Sequence, residues 1–273
     1  MTVPARPLAA VLLVLALSAC SAQAGPAGTG PATAAPTAMD DGAASEEAGP
    51  GPDAITAPAA QDSAEATSPA PEPPATAPHS DPAAADVVVN KQRPLQPATF
   101  EPADLRPPDV PATSPGVLLG PDTAAAVERM FAAAREDGVG LVIASGYRSY
   151  AEQDVTYRHW LDHYGSSADA DVVSARPGYS EHQTGLAFDI AQEDGSCTLV
   201  ACFAGTAAAQ WAAEHAAEYG IILRYPLGYH TVTGFFAEPW HFRYVGTDVA
   251  LGMREAGQLT LEEYFGLPGA SSY

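Results

Sequence analysis

The aromatic residues occupy only one part of the chain, and that confinement limits what can fold. All 22 of them lie between Phe100 and Tyr273. From Ser21 to Ala85 there is no aromatic residue, Leu, Val, Lys or Arg, but there are 12 prolines and nine acidic residues. Such a stretch has too little apolar surface to offset the entropy lost on folding, so its composition predicts a disordered acidic linker over residues 21–85. Asp86 to Tyr273 is long enough for one domain with its own core. The formal charge of −21 divides along the same lines. The linker carries nine negative charges, and residues 86–273 carry 24 acidic against 11 basic groups, a net −13. Nucleic-acid binding is not expected, because the basic face it needs is missing. No internal repeat is evident, and no protein partner is expected.

Residues 1–20 read as an export signal: Arg6 near the amino terminus, then an apolar run from Leu8 to Ala16 that is short for a membrane span. The segment ends in Leu17-Ser18-Ala19-Cys20, which resembles a bacterial lipobox. That resemblance implies lipidation at Cys20 and anchoring to the outer face of the cytoplasmic membrane. The linker would then be a tether, with an r.m.s. reach of about 45 Å as a flexible coil. Cys197 and Cys202 are the other two cysteines. An oxidising compartment favours a short disulfide between them, with two free thiols as the alternative.

Within residues 86–273 the pattern predicts helices over Thr123–Glu136, from the Ser149-x-x-Glu152 capping box to Tyr164, over Thr206–Tyr219, over Thr247–Glu255 and over Leu261–Phe265. Apolar runs at Leu141–Ala144, Leu186–Ile190 and Ile221–Leu223 read as strands, and Phe235–Tyr244 as a strand or strand–turn. The expected fold class is α+β, with helices packed on a small, mainly antiparallel sheet.

Of seven histidines, His182 and His241 stand out by their neighbours. Asp189 is embedded in the apolar run Leu186-Ala187-Phe188-Asp189-Ile190, and Glu238 lies between Phe235-Phe236 and Pro239-Trp240. A buried carboxylate needs a cation or hydrogen-bond donors. Two imidazoles and one carboxylate fill three positions of a catalytic zinc site, and a further carboxylate can take a proton from water at the fourth.

The strings themselves carry more. Ser180-x-His182-x-x-Gly185-x-Ala187-x-Asp189, followed by Glu238-x-x-His241, resembles the LAS zinc peptidases, in particular the VanY-type D-alanyl-D-alanine carboxypeptidases. Ser145-Gly146-Tyr147-Arg148-Ser149, Gln153 and Asn90-Lys91-Gln92-Arg93-Pro94-Leu95 belong to the same resemblance, which spans roughly Val89 to Gly246. It implies that His182, Asp189 and His241 bind Zn²⁺ and that Glu238 is the general base and then the acid. It implies that Arg148 faces the developing oxyanion, and that Gln153 and Ser180 hold the substrate's C-terminal end. Trp240 and Tyr179 read as pocket walls or as packing, and Arg176 and Arg243 as ordinary salt-bridge partners, with attraction of an anionic substrate as the alternative. The implied activity is removal of the terminal D-Ala from peptidoglycan stem peptides or precursors. L,D-carboxypeptidase and D-Ala-D-Ala dipeptidase activities need the same residues, and a non-catalytic zinc-dependent wall-binding module is the alternative outside enzymes.

Overall fold

The computed structural model describes residues 77–273. The export signal, Cys20 and most of the expected linker lie outside the described residues. Seven α-helices and four strands are formed among them. In chain order they are α1 (Pro121–Glu136), β1 (Leu141–Ser145), α2 (Tyr150–Tyr164), α3 (Ser167–Asp171), β2 (Ala187–Gln192), α4 (Ala207–His215), β3 (Ile221–Leu223), α5 (His230–Thr233), β4 (His241–Tyr244), α6 (Thr247–Ala256) and α7 (Leu261–Tyr264). No helix of the described residues is long and apolar enough to cross a membrane.

The sheet has the order β1-β2-β4-β3, and every pairing is antiparallel. Because side chains alternate across a strand, β2 is divided residue by residue. Phe188 and Ile190 face one way and pair with Phe242 and Ile143. There they join Val127, Met130, Phe131 and Ala134 of α1 and Ala208, Trp211 and Ala212 of α4 in the main core. Asp189 faces the other way, directly opposite His241 on β4 and Ser145 on β1. The register that buries the phenylalanines therefore also gathers the polar groups, and a one-residue slip would exchange the two sets.

Local chemistry explains the element ends. Pro121 opens α1 at a position where no amide donor is needed. Ser149 and Glu152 form a complete capping box on α2, and Gly165 closes that helix in the left-handed conformation. The helix expected over Thr206–Tyr219 ends at His215 and tightens into a 3₁₀ turn over Ala216–Tyr219 before Gly220. Only His241–Tyr244 of the Phe235–Tyr244 stretch is strand, since Pro239 cannot donate to a ladder. The four- and five-residue helices α3 and α5 are too short to show a periodic pattern.

The packed chain begins before the expected boundary at Asp86. His79 Nδ1 lies 2.8 Å from Asp86 Oδ2, and its ring stacks on Phe265 at 3.8 Å between centroids. Val88 N donates to His79 O, and Arg243 Nη2 donates to Ala85 O at 3.0 Å. Composition had placed residues 77–85 in the linker. Their contacts are made mostly through main-chain atoms, which composition does not report.

Candidate active site and metal centre

The short segment after β1 sets the first side of the site. At Gly146 a Cβ would lie 2.6 Å from Leu118 O, so only glycine fits this close approach. The carbonyl of Gly146 pairs with His182 Nδ1 at 2.8 Å. Fixing Nδ1–H as the donor leaves His182 Nε2 with its lone pair, 3.6 Å from Asp189 Oδ2. His182 lies on a buried 3₁₀ turn, Glu181–Thr184, whose carbonyl at His182 also accepts from Arg148 N at 3.1 Å.

Across the sheet, Asp189 Oδ1 is 3.2 Å from His241 Nδ1, and Ser145 Oγ donates to Asp189 Oδ2. Glu238 Oε2 lies 3.6 Å from the same His241 nitrogen. Ligand atoms of His182, Asp189 and His241 all lie within 4.8 Å of one another, and all three residues are buried. Among the described residues, Asp189 Oδ1 has no hydrogen-bond partner although it is buried. An unpartnered carboxylate oxygen between two imidazoles, with Nε2 of one and Nδ1 of the other turned inward, fits a divalent cation. The donor set of two nitrogens and one oxygen suits zinc.

The electrostatics separate the two carboxylates. Burial opposes charge on Asp189, but His182, His241 and Ser145 outweigh it and hold its carboxyl well below the usual range. Burial pushes Glu238 up to about 7, with Asp189 and Glu181 adding to the rise against His241 and Arg148. Burial lowers His182 to about 3, so its ring is neutral at pH 7. His241 is raised to about 9: burial disfavours its cation, but the Asp189 and Glu181 carboxylates prevail.

These groups line one cleft of about 190 Å³ with Arg148, Gln153, Ser180, Trp160, Leu199, Tyr225 and Trp240. All seven residues singled out from the sequence for the catalytic, substrate and metal roles are thus in one place. Gln153 is 1% exposed. Its Oε1 accepts from Arg148 Nη1 at 2.9 Å, and its Nε2 donates to Ala175 O at 2.7 Å and to Ser174 Oγ at 3.4 Å. The amide is fully used inside the protein, with its oxygen spent on Arg148. Trp240 is a wall of the cleft, whereas Tyr179 packs edge-on against Tyr273. Arg176 is paired with Asp171 and Arg243 with Glu181, as the salt-bridge reading expects. Cys197 and Cys202 are disulfide-bonded, and the loop between them brings Leu199 to the cleft. Leu199 and Glu181 were not singled out from the sequence. Leu199 carries no chemistry that spacing could flag, and the Arg224 and Arg243 partners of Glu181 lie 43 and 62 residues away.

Fold and site together define a peptidase centre of the LAS type. The VanY family, described as D-alanyl-D-alanine carboxypeptidase, matches residues 116–247. A bifunctional D-Ala-D-Ala dipeptidase and D-Ala-D-Ala carboxypeptidase, VanXYC of Enterococcus gallinarum, is 36% identical over 65% of this chain and 91% of its own. The solved LdcB LD-carboxypeptidase is 39% identical, with a TM-score of 0.64 over 68% of this chain and 87% of its own. A Zn(II) complex of the vancomycin-resistance D,D-pentapeptidase VanY is 32% identical, with a TM-score of 0.55 over 66% of this chain and 97% of its own. Other curated relatives are matched over about two thirds of their length, 66% and 64%. The chain belongs to the VanY family.

Proposed function

We propose that the protein is a zinc-dependent D-alanyl-D-alanine carboxypeptidase that removes the terminal D-Ala from peptidoglycan stem peptides. The observation that carries this reading is the grouping of His182, Asp189 and His241 with Glu238 and Arg148 around one cleft.

His182 Nε2, a carboxylate oxygen of Asp189 and His241 Nδ1 would hold the zinc ion. When bound, the ion supplies Lewis acidity, acidifying water and polarising the scissile carbonyl. Glu238 takes the proton from the attacking water and returns it to the departing amine of D-Ala. A carboxyl near neutrality serves both directions of that transfer. Arg148 sets a fixed positive charge against the oxyanion, and Gln153 fixes the direction of its guanidinium. Ser180, buried in the cleft and with no side-chain hydrogen bond among the described residues, would meet the substrate carboxylate. Trp160, Trp240 and Tyr225 form walls of the cleft beside the reacting groups.

A second reading, L,D-carboxypeptidase, is favoured by the similarity to LdcB, which exceeds that to the D,D-pentapeptidase in both identity and TM-score. Mass-spectrometric product mapping on tri-, tetra- and pentapeptide stems separates the two. Shortening of the pentapeptide alone supports the first reading, shortening of the tetrapeptide supports the second, and release of D-Ala from neither refutes both. We also propose lipidation at Cys20 and attachment to the outer face of the cytoplasmic membrane, from the lipobox-like leader. Loss of membrane association and of metabolic palmitate label in Cys20→Ser is the expected result.

A further inference from the structure

Glu181 precedes one proposed ligand in sequence and approaches the other in space. Its side chain is fully buried. Oε1 accepts from Arg224 Nε at 2.8 Å and from Arg243 Nη1 at 2.9 Å. Arg224 also grips Glu262 with both terminal nitrogens, at 3.0 and 2.8 Å, and Asn90 Nδ2 donates to Glu262 Oε1 at 2.8 Å. The second arm of Arg243 donates to the carbonyls of Ala85 and Val87. Two guanidiniums and two carboxylates balance, and the cluster is held together through one oxygen of Glu181.

The other oxygen, Oε2, is left over. It lies 3.6 Å from His241 Nε2, and both atoms are buried with no hydrogen-bond partner among the described residues. A buried ring N–H and a buried carboxylate oxygen so placed satisfy each other or remain unsatisfied. The opposite nitrogen of the same ring, Nδ1, faces Asp189 and Glu238. The backbone is held as well, since Arg224 N donates to His241 O at 3.2 Å.

We propose that Glu181, clamped by Arg224 and Arg243, is a positioning residue that keeps the proton of His241 on Nε2 and so presents Nδ1 to the metal. This rests on the metal-site reading above. It gives His241 the counterpart of what His182 receives from Gly146 O: a partner facing one ring nitrogen, so that the other is the nitrogen offered to the metal. Partners of this outer kind are worth about 10- to 100-fold in metal affinity. A purely structural Glu181, serving only as counter-charge to the two arginines, would alter stability and leave metal affinity unchanged.

The test uses the full chain and zinc alone. In Glu181→Gln the group near Nε2 is no longer a carboxylate, and the zinc dissociation constant, measured by chelator competition, is expected to rise about 10- to 100-fold. The d–d spectrum of the Co²⁺-substituted protein should change with it. Folded Glu181→Gln with wild-type zinc affinity and spectrum would overturn the proposal while leaving the metal site standing. Wild-type protein that fails to bind zinc would overturn the metal reading and this proposal together. Should the variant fail to fold, ¹⁵N-histidine NMR of zinc-loaded wild type decides, with the His241 resonance assigned by His241→Ala. A downfield, slowly exchanging Nε2 proton on His241 is expected. An ordinary, rapidly exchanging one refutes the role of Glu181.

Discussion

Gln153→Ala separates two ways in which this side chain could serve catalysis. In the structure its oxygen accepts from Arg148 at 2.9 Å, and both amide hydrogens are spent on Ala175 and Ser174. Truncation removes the hydrogen bond that directs the guanidinium, while Arg148 N remains tied to His182 O. A hydrogen bond to a charged donor is worth about 1.5–3 kcal/mol. If that orientation matters mainly in the transition state, kcat/KM falls about 10- to 150-fold, with most of the loss in kcat. Zinc content should be unchanged, because none of the three proposed ligands touches Gln153. Loss of the two amide donors lowers stability by about 1–3 kcal/mol, so the kinetics belong well below Tm. The assay is steady-state release of D-Ala from a stem peptide, with zinc stoichiometry measured on the same sample. A kcat/KM within threefold of wild type refutes the clamp. A raised KM with unchanged kcat would instead place Gln153 on the substrate's C-terminal end.

Other expectations follow from the same geometry. Glu238→Gln should retain zinc and lose about 10²–10⁴-fold in kcat, and full turnover in that variant would require another base. Asp189→Asn should release zinc, read by metal analysis after dialysis, because the carboxylate lies between both imidazoles. In the zinc-free protein His241 keeps its proton up to about pH 9, so zinc must displace it. Apparent zinc affinity should rise about tenfold per pH unit from 7 to 9, and a flat profile would contradict this. Burial opposes charge on Glu262, but Arg224 prevails and holds its carboxyl below its ordinary value of about 4.5. Its stabilising contribution is therefore present above about pH 4.5 and lost as pH falls through the lower folded value. Thermal melts should show Tm dropping below that pH, with a shallower drop in Glu262→Gln, and an identical acid dependence in the variant would contradict the assignment.

Part of the site can be read from the residues themselves, and the roles of Arg148, Gln153 and Ser180 only from the resemblance of the strings around them to a known family. Asp189 stands out as a charge inside Leu186–Ile190, and the alternation that hides Phe188 also turns Asp189 to the opposite face. The α2 boundaries follow from local chemistry, Ser149 with Glu152 at one end and Gly165 at the other. Elements without a period or a cap signal, such as α3 and α5, are silent in the sequence. So is the packing of residues 77–85, where the contact of Arg243 is to a carbonyl oxygen of the kind that every residue possesses.

By itself, then, the sequence determined the α+β class and, through its resemblance to a known family, the set of residues that meet at the cleft. The first depends on periodicity and the second on short strings that resemble a known family, and both are local. Tertiary structure decided which atoms of those residues face one another. It gave the oxygen of Gln153 to Arg148, bonded Cys197 to Cys202 beside the cleft, and brought Glu181 to His241 through arginines on β4 and after β3. Asn90 and Glu262, partners in that same cluster, are 172 residues apart. Contacts at such separations leave no periodic trace, because folding the chain is what creates them.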